Sequence, residues 1–471
     1  MNNSSRNGFV GRKSELARLA QIFEQVSAGN YDAGRVVLMR GRRRVGKTRL
    51  VREFVRKAKA PSIQFFATGA DTEYELVRFR DAIRDSNINP AAAAAGLPQT
   101  WYEAFTMLAG VLPVDKPSIV VIDEVPYLTR ADKAFEGALQ AAWDTKLMHL
   151  PVLLILIGSE MSAMERMASY GRPFYQRGID MEVRPLTVPD VATMTGLSAA
   201  DAFDAYLVTG GLPLLLAEWP EGGKVVDYLK QALANPSSGL VTSGLAVMAA
   251  EFPPDAKPKQ VLRAIGSGEM AFTKILNKSA IQYPATLTSA LEVLAERRII
   301  AKVNPLSVRP NKKNPQYRIT DPYLRFYSSF IDDNADAISG GFWQPAFNRI
   351  QREWNLWRGK AIEPVIRDLL PSQWGRLMPE FDIIGSWWNA NSAVEVDIVA
   401  GDKAPVPSKI VAVGSIKWRD TKPFTDEDAL ELSNAASLVP GYDSTTSLIA
   451  VSRTPVEAEG IIAITPADLL E

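Results

Sequence analysis

Length, charge balance and the scarcity of two residue types limit what this sequence can encode. The chain has 471 residues, enough for about three domains, and 53 Lys and Arg residues balance 53 Asp and Glu residues. A net charge of +0 excludes a protein whose whole surface wraps nucleic acid, so any basic surface must be local. The absence of cysteine excludes disulfides, thiolate zinc sites and cysteine nucleophiles, and the single histidine, His149, argues against a histidine metal cluster.

No segment has the pattern of a signal peptide or a membrane span. Residues 1–8 are polar and lack an apolar signal core, and the longest aliphatic run, residues 152–157, is far too short to cross a bilayer. We therefore expect a cytoplasmic protein without a membrane partner.

The first predicted element is an amphipathic helix that follows Gly11 and Arg12, which are candidate nucleotide-binding residues. Apolar residues recur with helical spacing from residue 16 to residue 26. Such a helix, just upstream of the loop described next, either closes over the base of a bound nucleotide or serves only for packing.

A phosphate-binding loop is predicted between a short β-branched run and a segment compatible with a helix. Its motif is G-x-x-x-x-G-K-T, formed by Gly41, Arg42, Arg43, Arg44, Val45, Gly46, Lys47 and Thr48. Glycine lets backbone N–H groups approach phosphate oxygens, and the following helix N-terminus favours the anion. Lys47 is expected to reach the β- and γ-phosphates and Thr48 to bind Mg²⁺. The alternative is a chance match in a glycine turn.

Two carboxylates follow the next strongly apolar run, residues 118–122. Asp123 is predicted to hold the Mg²⁺ hydration shell, and Glu124 to orient and activate the attacking water. The alternative is that acidic residues merely end a strand. Because the run is apolar throughout, it is typical of a parallel sheet covered on both faces.

Three further polar residues are candidates for sensing or stabilising the γ-phosphate. Ser159 follows a buried strand at residues 151–158, where it is either a sensor or a helix cap. Arg172 and Arg177 precede a last predicted strand at residues 180–183. Either arginine would stabilise transition-state charge, in cis or from a neighbouring subunit, unless it is an ordinary solvated side chain. Residues 198–216 then form two predicted helical pieces around a Gly-Gly-x-Pro break, as in a small helical lid.

The order of these motifs resembles that of the archaeal-type ATPases, a branch of the AAA+/STAND P-loop ATPases that also occurs in bacteria. The resemblance covers about half the chain and rests on residues 9–12, 41–48, 122–124, 157–159, Arg177 ahead of residues 185–186, and residues 210–213. It implies ATP with Mg²⁺ rather than GTP, an α/β fold with a parallel sheet and a helical lid, and self-association into a homo-oligomer.

The middle of the chain predicts a winged helix. Three helical segments between residues 261 and 298 precede strands at residues 299–303 and 316–320, and basic residues exceed acidic ones here. Arg309, Lys312 and Lys313 in the turn are candidates for DNA phosphate contacts. The alternative is a winged helix that only joins domains. Residues 321–326, D-P-Y-L-R-F, repeat a signature of the same ATPase family and are interpreted as structural.

The last part of the sequence resembles the PD-(D/E)XK nuclease-like domain that commonly ends this ATPase family. The resemblance assigns Asp397 and Lys417 to the nuclease motif, Glu363 to the helix acid, and Asp397, Glu363 and Glu395 to a metal site. Ser415 stands where the motif has its second acid, and a neutral hydroxyl is a far weaker Mg²⁺ ligand than a carboxylate. We therefore expect a domain with the nuclease fold that contacts DNA without efficient cleavage, with Glu395 as a potential substitute for the missing acid.

These segments predict four domains and one coupled function. The domains are a P-loop ATPase core at residues 1–190, a helical lid at 191–245, a winged helix at 246–333 and a nuclease-like domain at 342–471. ATP binding and hydrolysis would change the arrangement of these domains and, through it, the binding of DNA. The alternatives are an ATP-regulated nuclease and a signalling ATPase whose C-terminal half binds protein.

Overall fold

The computed structural model describes residues 9–27, 33–88, 96–251, 257–266, 270–309 and 314–471. The chain divides into two compact units, Met1–Leu186 and Thr187–Glu471. The first contains a parallel sheet between helices and the second a helical region followed by a mixed sheet, so the predicted α/β class is confirmed.

A five-stranded parallel sheet forms the centre of the first unit. Its order is β2-β3-β4-β1-β5, with strands β1 Arg35–Arg40, β2 Ser62–Phe66, β3 Ser118–Asp123, β4 Val152–Gly158 and β5 Gly178–Glu182. Every residue of β3 and β4 is buried, as expected for apolar strands with both faces covered. The carboxyl ends of β1, β3 and β4 are neighbours, and this order positions the candidate site.

Seven α-helices pack around this sheet in the described part of the first unit. They are α1 Lys13–Ser27, α2 Lys47–Ala58, α3 Thr72–Arg84, α4 Trp101–Val111, α5 Val125–Ala131, α6 Phe135–Thr145 and α7 Met161–Met167. The apolar stripe that predicts α1 is buried at Leu19, Ile22 and Val26.

The second unit begins with a group of helices: α8 Val188–Thr195, α9 Ala199–Thr209, α10 Pro213–Ala217, α11 Val225–Ala234 and α12 Gly239–Glu251. The predicted break lies between α9 and α10, where Gly210 has a φ of 59°. A Cβ atom there would lie 2.9 Å from Cβ of Tyr323, so both the left-handed backbone and the close contact require glycine. Tyr323 belongs to the D-P-Y-L-R-F segment.

Three helices and a hairpin follow in the predicted order. They are α13 Lys257–Gly266, α14 Phe272–Lys278, α15 Pro284–Glu296, β6 Ile300–Val303 and β7 Gln316–Ile319. Strands β6 and β7 are antiparallel. The D-P-Y-L-R-F segment then forms α16 Pro322–Phe326, whose start is capped by Asp321, and α17 Ala335–Ser339 follows.

The remainder of the second unit is a long helix and a five-stranded mixed sheet of order β12-β11-β10-β9-β8. The elements are α18 Gln344–Leu369, β8 Ile383–Trp388, β9 Glu395–Gly401, β10 Ile410–Lys417, α19 Asp426–Ala436, β11 Ser447–Ser452 and β12 Ile462–Ile464. Strands β8, β9 and β10 are antiparallel neighbours, whereas β11 and β12 run parallel to β10. Helix α18 carries Glu363, and its buried stripe begins near the start of the helix with Ala346 and Ile350.

Candidate functional site

The predicted phosphate loop connects β1 to α2 in a compact left-handed turn. Gly46 has a φ of 94° and Arg44 a φ of 68°, and α2 begins at Lys47. A Cβ atom on Gly41 would lie 2.4 Å from the carbonyl oxygen of Val183, so this position has no room for a side chain. The loop therefore places backbone N–H groups at a helix N-terminus, which is the arrangement that binds phosphate.

Lys47 is folded back onto this loop and is only 7% exposed. Its Nζ donates hydrogen bonds to the carbonyl oxygens of Gly41 at 2.6 Å and Arg42 at 2.9 Å. Burial lowers the pKa of Lys47 to about 8, although the neighbouring carboxylates of Glu124 and Asp123 act in the opposite direction. A bound phosphate would supply further negative charge to this ammonium group.

Thr48 and Asp123 contact each other at the start of α2 and the end of β3. The Thr48 Oγ1 donates to Asp123 Oδ2 at 2.6 Å, and the backbone N–H of Glu124 donates to Asp123 Oδ1 at 2.9 Å. Burial raises the pKa of Asp123. A hydroxyl and a carboxylate beside a phosphate loop fit Mg²⁺, which prefers one or two protein oxygens together with water and substrate phosphates.

Glu124 and Ser159 are joined across the ends of β3 and β4. The Ser159 Oγ donates to Glu124 Oε2 at 2.7 Å and lies 2.9 Å from Oε1. Glu124 has a φ of 57° at the residue before α5, a left-handed conformation that side chains rarely adopt. The structure thus brings together both predicted catalytic residues of this pair.

Arg12 also reaches the phosphate loop. Its Nη2 donates to the carbonyl oxygen of Val45 at 2.7 Å, and its Nη1 forms an ion pair with Glu15 at 2.9 Å. Gly11 and Arg12 have φ values of 71° and 63°, so the chain turns sharply just before α1. Arg12 and Val45, which are both predicted to bind the nucleotide, are therefore in direct contact.

The two candidate arginines are held by acidic residues of α6. Arg177 pairs with Asp144 through two hydrogen bonds of 2.9 and 3.0 Å, and Arg172 pairs with Glu136 at 2.5 Å. In contrast, Arg43 of the loop donates to the Tyr127 hydroxyl at 3.2 Å. Tyr127 was not predicted as a site residue. Its position shortly after Glu124 is the sequence feature that could have indicated it.

Comparison with known proteins agrees with this geometry. Residues 9–219 match the model of an ATPase domain found predominantly in Archaea. This part of the chain is similar to that ATPase domain. Further along the chain, residues 327–430 match the model of archaeal and bacterial proteins of unknown function.

Three known proteins illustrate how far the similarity extends. An uncharacterized protein of Methanocaldococcus jannaschii, MJECL04, is 26% identical over 425 residues, which cover 88% of each chain. The Walker-type ATPase PABY2304 of Pyrococcus abyssi has a TM-score of 0.49 at 20% identity, covering 70% of this chain and 98% of its own. The ORC2 protein of Aeropyrum pernix, solved with ADPNP and ADP, has a TM-score of 0.46 at 13% identity, covering 75% and 98%.

A second group of candidate residues surrounds a cavity of about 380 Å³ in the C-terminal part of the chain. Its lining includes all the residues predicted for a nuclease-like site, namely Glu363, Glu395, Asp397, Ser415 and Lys417. The backbone N–H of Ile416 donates to Asp397 Oδ2 at 2.8 Å, and the Ser415 Oγ lies 3.4 Å from the same oxygen. Register between β9 and β10 thus places Ser415 beside Asp397.

Lys360 also lines this cavity, and it was not predicted from the sequence. Its Nζ lies 3.1 Å from Glu363 Oε1 and 3.0 Å from Glu395 Oε2. Burial lowers the pKa of Lys360, but Glu363 and Glu395 outweigh burial and the net shift is upward. The spacing of three residues between Lys360 and Glu363 on one predicted helix could have indicated this pair.

These contacts do not fit a divalent metal. The ammonium group of Lys360 lies against two of the three predicted ligands, and Ser415 offers only a neutral oxygen. Lys417 is directed to α19, with its Nζ 3.7 Å from Asp428 and 3.6 Å from Glu431. In the described part of the chain, no group of three or more His, Cys, Asp or Glu residues is arranged to hold a metal ion.

Of the predicted DNA-contact residues, Arg309 lies in the segment that follows β6. Arg309 is exposed, and its carbonyl oxygen accepts a hydrogen bond from Ser307 at 2.9 Å. Lys312 and Lys313 lie outside the described residues. Across the described ranges, no helix has both the length and the apolar character needed to cross a membrane.

Proposed function

We propose that this chain hydrolyses ATP at the ends of β1, β3 and β4, and that its nucleotide state controls the arrangement of its domains and the binding of DNA. The observation that carries the proposal is the pair of contacts Thr48–Asp123 and Glu124–Ser159 beside the phosphate loop. Together they supply a magnesium-compatible oxygen pair and a positioned carboxylate within one cluster.

In the proposed mechanism the residues of the site act mainly by position and charge. The loop amides and Lys47 hold the phosphates of the Mg²⁺-bound substrate, with Thr48 and Asp123 next to its metal. Glu124 accepts a proton from the attacking water, and its carboxylate is oriented by Ser159. Bringing these groups together before the substrate arrives lowers the entropic cost of the reaction.

A direct test compares hydrolysis of ATP and GTP by the purified chain with Mg²⁺. We expect phosphate release from ATP, a rise in melting temperature with Mg²⁺ and ATP, and loss of both in Lys47→Ala. Glu124→Gln should keep the rise in melting temperature and lose phosphate release. If the unaltered chain gives neither signal with millimolar nucleotide, the proposal fails. A chain that binds ATP but releases no phosphate would be a binding protein without turnover.

DNA is the proposed partner of residues 246–333, which we interpret as a winged helix. Support comes from the order of α13, α14 and α15 before the hairpin of β6 and β7, and from the local excess of basic residues. Tyr283 is 68% exposed at the residue before α15, the helix that would read the major groove. The basic turn at residues 309–313 would contact phosphates.

Salt dependence provides the test of DNA binding. Neutralising Lys312 and Lys313 together should weaken binding to duplex DNA of several sequences to a similar extent. It should also reduce the steepness of the plot of log association constant against log salt concentration by about 2. Replacing Lys422, an exposed lysine in the loop after β10, with Ala serves as the control. Binding that is unchanged by the double substitution and insensitive to salt would favour the signalling alternative with a protein partner.

A further inference from the structure

A partly enclosed cavity of about 260 Å³ lies within the second unit, at a place to which the proposed function assigns no role. It is lined by the start of α8, the end of α9, β7 and the residues after it, and the C-terminal half of α18. A dry cavity of roughly 150 Å³ can already bind benzene, so this volume suffices for a ring that carries a short substituent.

Most of the lining is apolar. Leu207, Ile319, Trp357, Val365 and Leu369 contribute aliphatic or aromatic surface. Cavities of this composition bind small molecules by burying an apolar body and orient them through a few polar groups. The polar groups here are therefore the residues that decide what kind of molecule fits.

Two arginines line the same cavity. Arg325, from the D-P-Y-L-R-F segment, is buried, and its guanidinium forms no hydrogen bond with any residue in the described ranges. Burial lowers the pKa of Arg325 to about 10 even though Glu363 favours the charged form. Leaving a buried cation without hydrogen-bond acceptors is costly, and an anionic group could supply the missing acceptors.

The second arginine, Arg318, is also incompletely paired. Its Nε is buried without a hydrogen-bond partner among the described residues. Its Nη2 lies 4.0 Å from Oδ1 of Asp368, whose side chain is 75% exposed. The ion pair with Asp368 is therefore loose, and the Nε donor of Arg318 needs another acceptor.

We propose that this cavity binds a small organic carboxylate, with the carboxylate held by Arg318 and Arg325 and the apolar body against Trp357 and its aliphatic neighbours. Guanidinium groups bind planar carboxylates through paired hydrogen bonds, which matches the unsatisfied donors. Because the lining comes from α9, β7, α16 and α18, a bound ligand joins these four elements and stabilises the second unit. This inference does not depend on ATP hydrolysis.

The experiment uses the full chain and fluorinated aromatic probes. Fluorine NMR and melting temperature are measured with 4-fluorobenzoate, 4-fluorophenylacetate and 4-fluorocinnamate, and with the corresponding neutral amides. We expect at least one acid to bind and raise the melting temperature while its amide binds at least about tenfold more weakly, since the amide lacks the charge-assisted hydrogen bonds.

Three variants locate the binding site. Arg318→Met and Arg325→Met should each weaken acid binding at least about tenfold, and Ala361→Leu should abolish it by filling the cavity. Arg349→Met is the matched control, because Arg349 is an arginine on α18, one of the elements that line the cavity, and it pairs with Glu353 outside the cavity. Arg318 is only half-buried, so its variant should fold even if Arg325→Met does not.

Three results would overturn the inference: no acid binds at millimolar concentration, acid and amide bind equally, or Arg318→Met and Arg349→Met bind the acid alike. ATP hydrolysis is measured on the same samples. If the chain hydrolyses ATP but binds no acid, the cavity inference fails and the proposed function stands.

Discussion

The hydroxyl of Ser159 donates a hydrogen bond to the carboxylate of Glu124, with its Oγ 2.9 and 2.7 Å from the two carboxylate oxygens. The two residues are at the ends of neighbouring strands, β4 and β3. A residue proposed to sense the phosphate therefore also orients the proposed base, and the two roles can be separated by substitution.

Glu124→Gln should lower ATP turnover by about 10²–10⁴-fold, because the amide cannot accept the proton of the attacking water. The dissociation constant for ADP with Mg²⁺, measured by calorimetry, should stay within about twofold, since Gln keeps the shape of the side chain. Glu160→Gln is the control, because Glu160 pairs with Arg130 at the surface. Equal turnover in the Glu124 and Glu160 variants would contradict the assignment of the base.

Ser159→Ala should lower turnover by about tenfold, because a neutral hydrogen bond that orients Glu124 is lost. Nucleotide affinity should change little if Ser159 acts mainly through Glu124. Ser159→Thr keeps the hydroxyl and should recover most of the activity, which a loss of packing alone would not explain. A large loss of affinity in Ser159→Ala would instead indicate direct phosphate contact.

Arg12→Ala should weaken nucleotide binding by about tenfold, because the 2.7 Å hydrogen bond that holds the Val45 carbonyl in the phosphate loop is lost. Glu15→Gln tests the ion pair alone and should have a much smaller effect. Calorimetric titration with ADP and Mg²⁺ compares the two. If both variants bind as the unaltered chain does, Arg12 has no part in forming the loop.

Arg177→Ala should reduce turnover more than Asp144→Asn does, if Arg177 stabilises transition-state charge as the sequence predicts. An arginine in this role contributes roughly 10³–10⁵ in rate, whereas the ion pair between these residues contributes only to local stability. Turnover at several protein concentrations shows whether the arginine comes from a neighbouring subunit. Equal turnover in the two variants would assign Arg177 to the ion pair alone.

Glu363→Gln should remove a stability loss that the unaltered chain shows on alkalinisation. Burial, reinforced by Asp397, raises the Glu363 pKa from 4.5 to about 7. Between these values the folded state binds more protons than the unfolded state, so the free energy of unfolding falls as the pH rises from 4.5 to 7. The Gln variant should avoid up to about 3 kcal/mol of this loss, measured by denaturant unfolding at pH 5 and 8. Parallel pH profiles would contradict the prediction.

Much of the fold could be predicted because its signals are local. The apolar runs before Asp123 and Ser159 have the composition of buried parallel strands, and the spacing in α1 matches its buried face. The start of α18 was not predicted, because Ala346 and Ile350 are two apolar positions among many polar ones. Only packing against the rest of the second unit shows that they belong to the same buried stripe.

The sequence by itself determined the phosphate loop and the residue types beside it, because each depends on spacing along one short segment. Tertiary structure alone decided that Thr48 meets Asp123, that Lys360 lies between Glu363 and Glu395, and that Arg318 and Arg325 share a cavity. The physical reason is that charge pairing and burial depend on distances in space. Those distances follow from strand order and helix packing, which no local pattern contains.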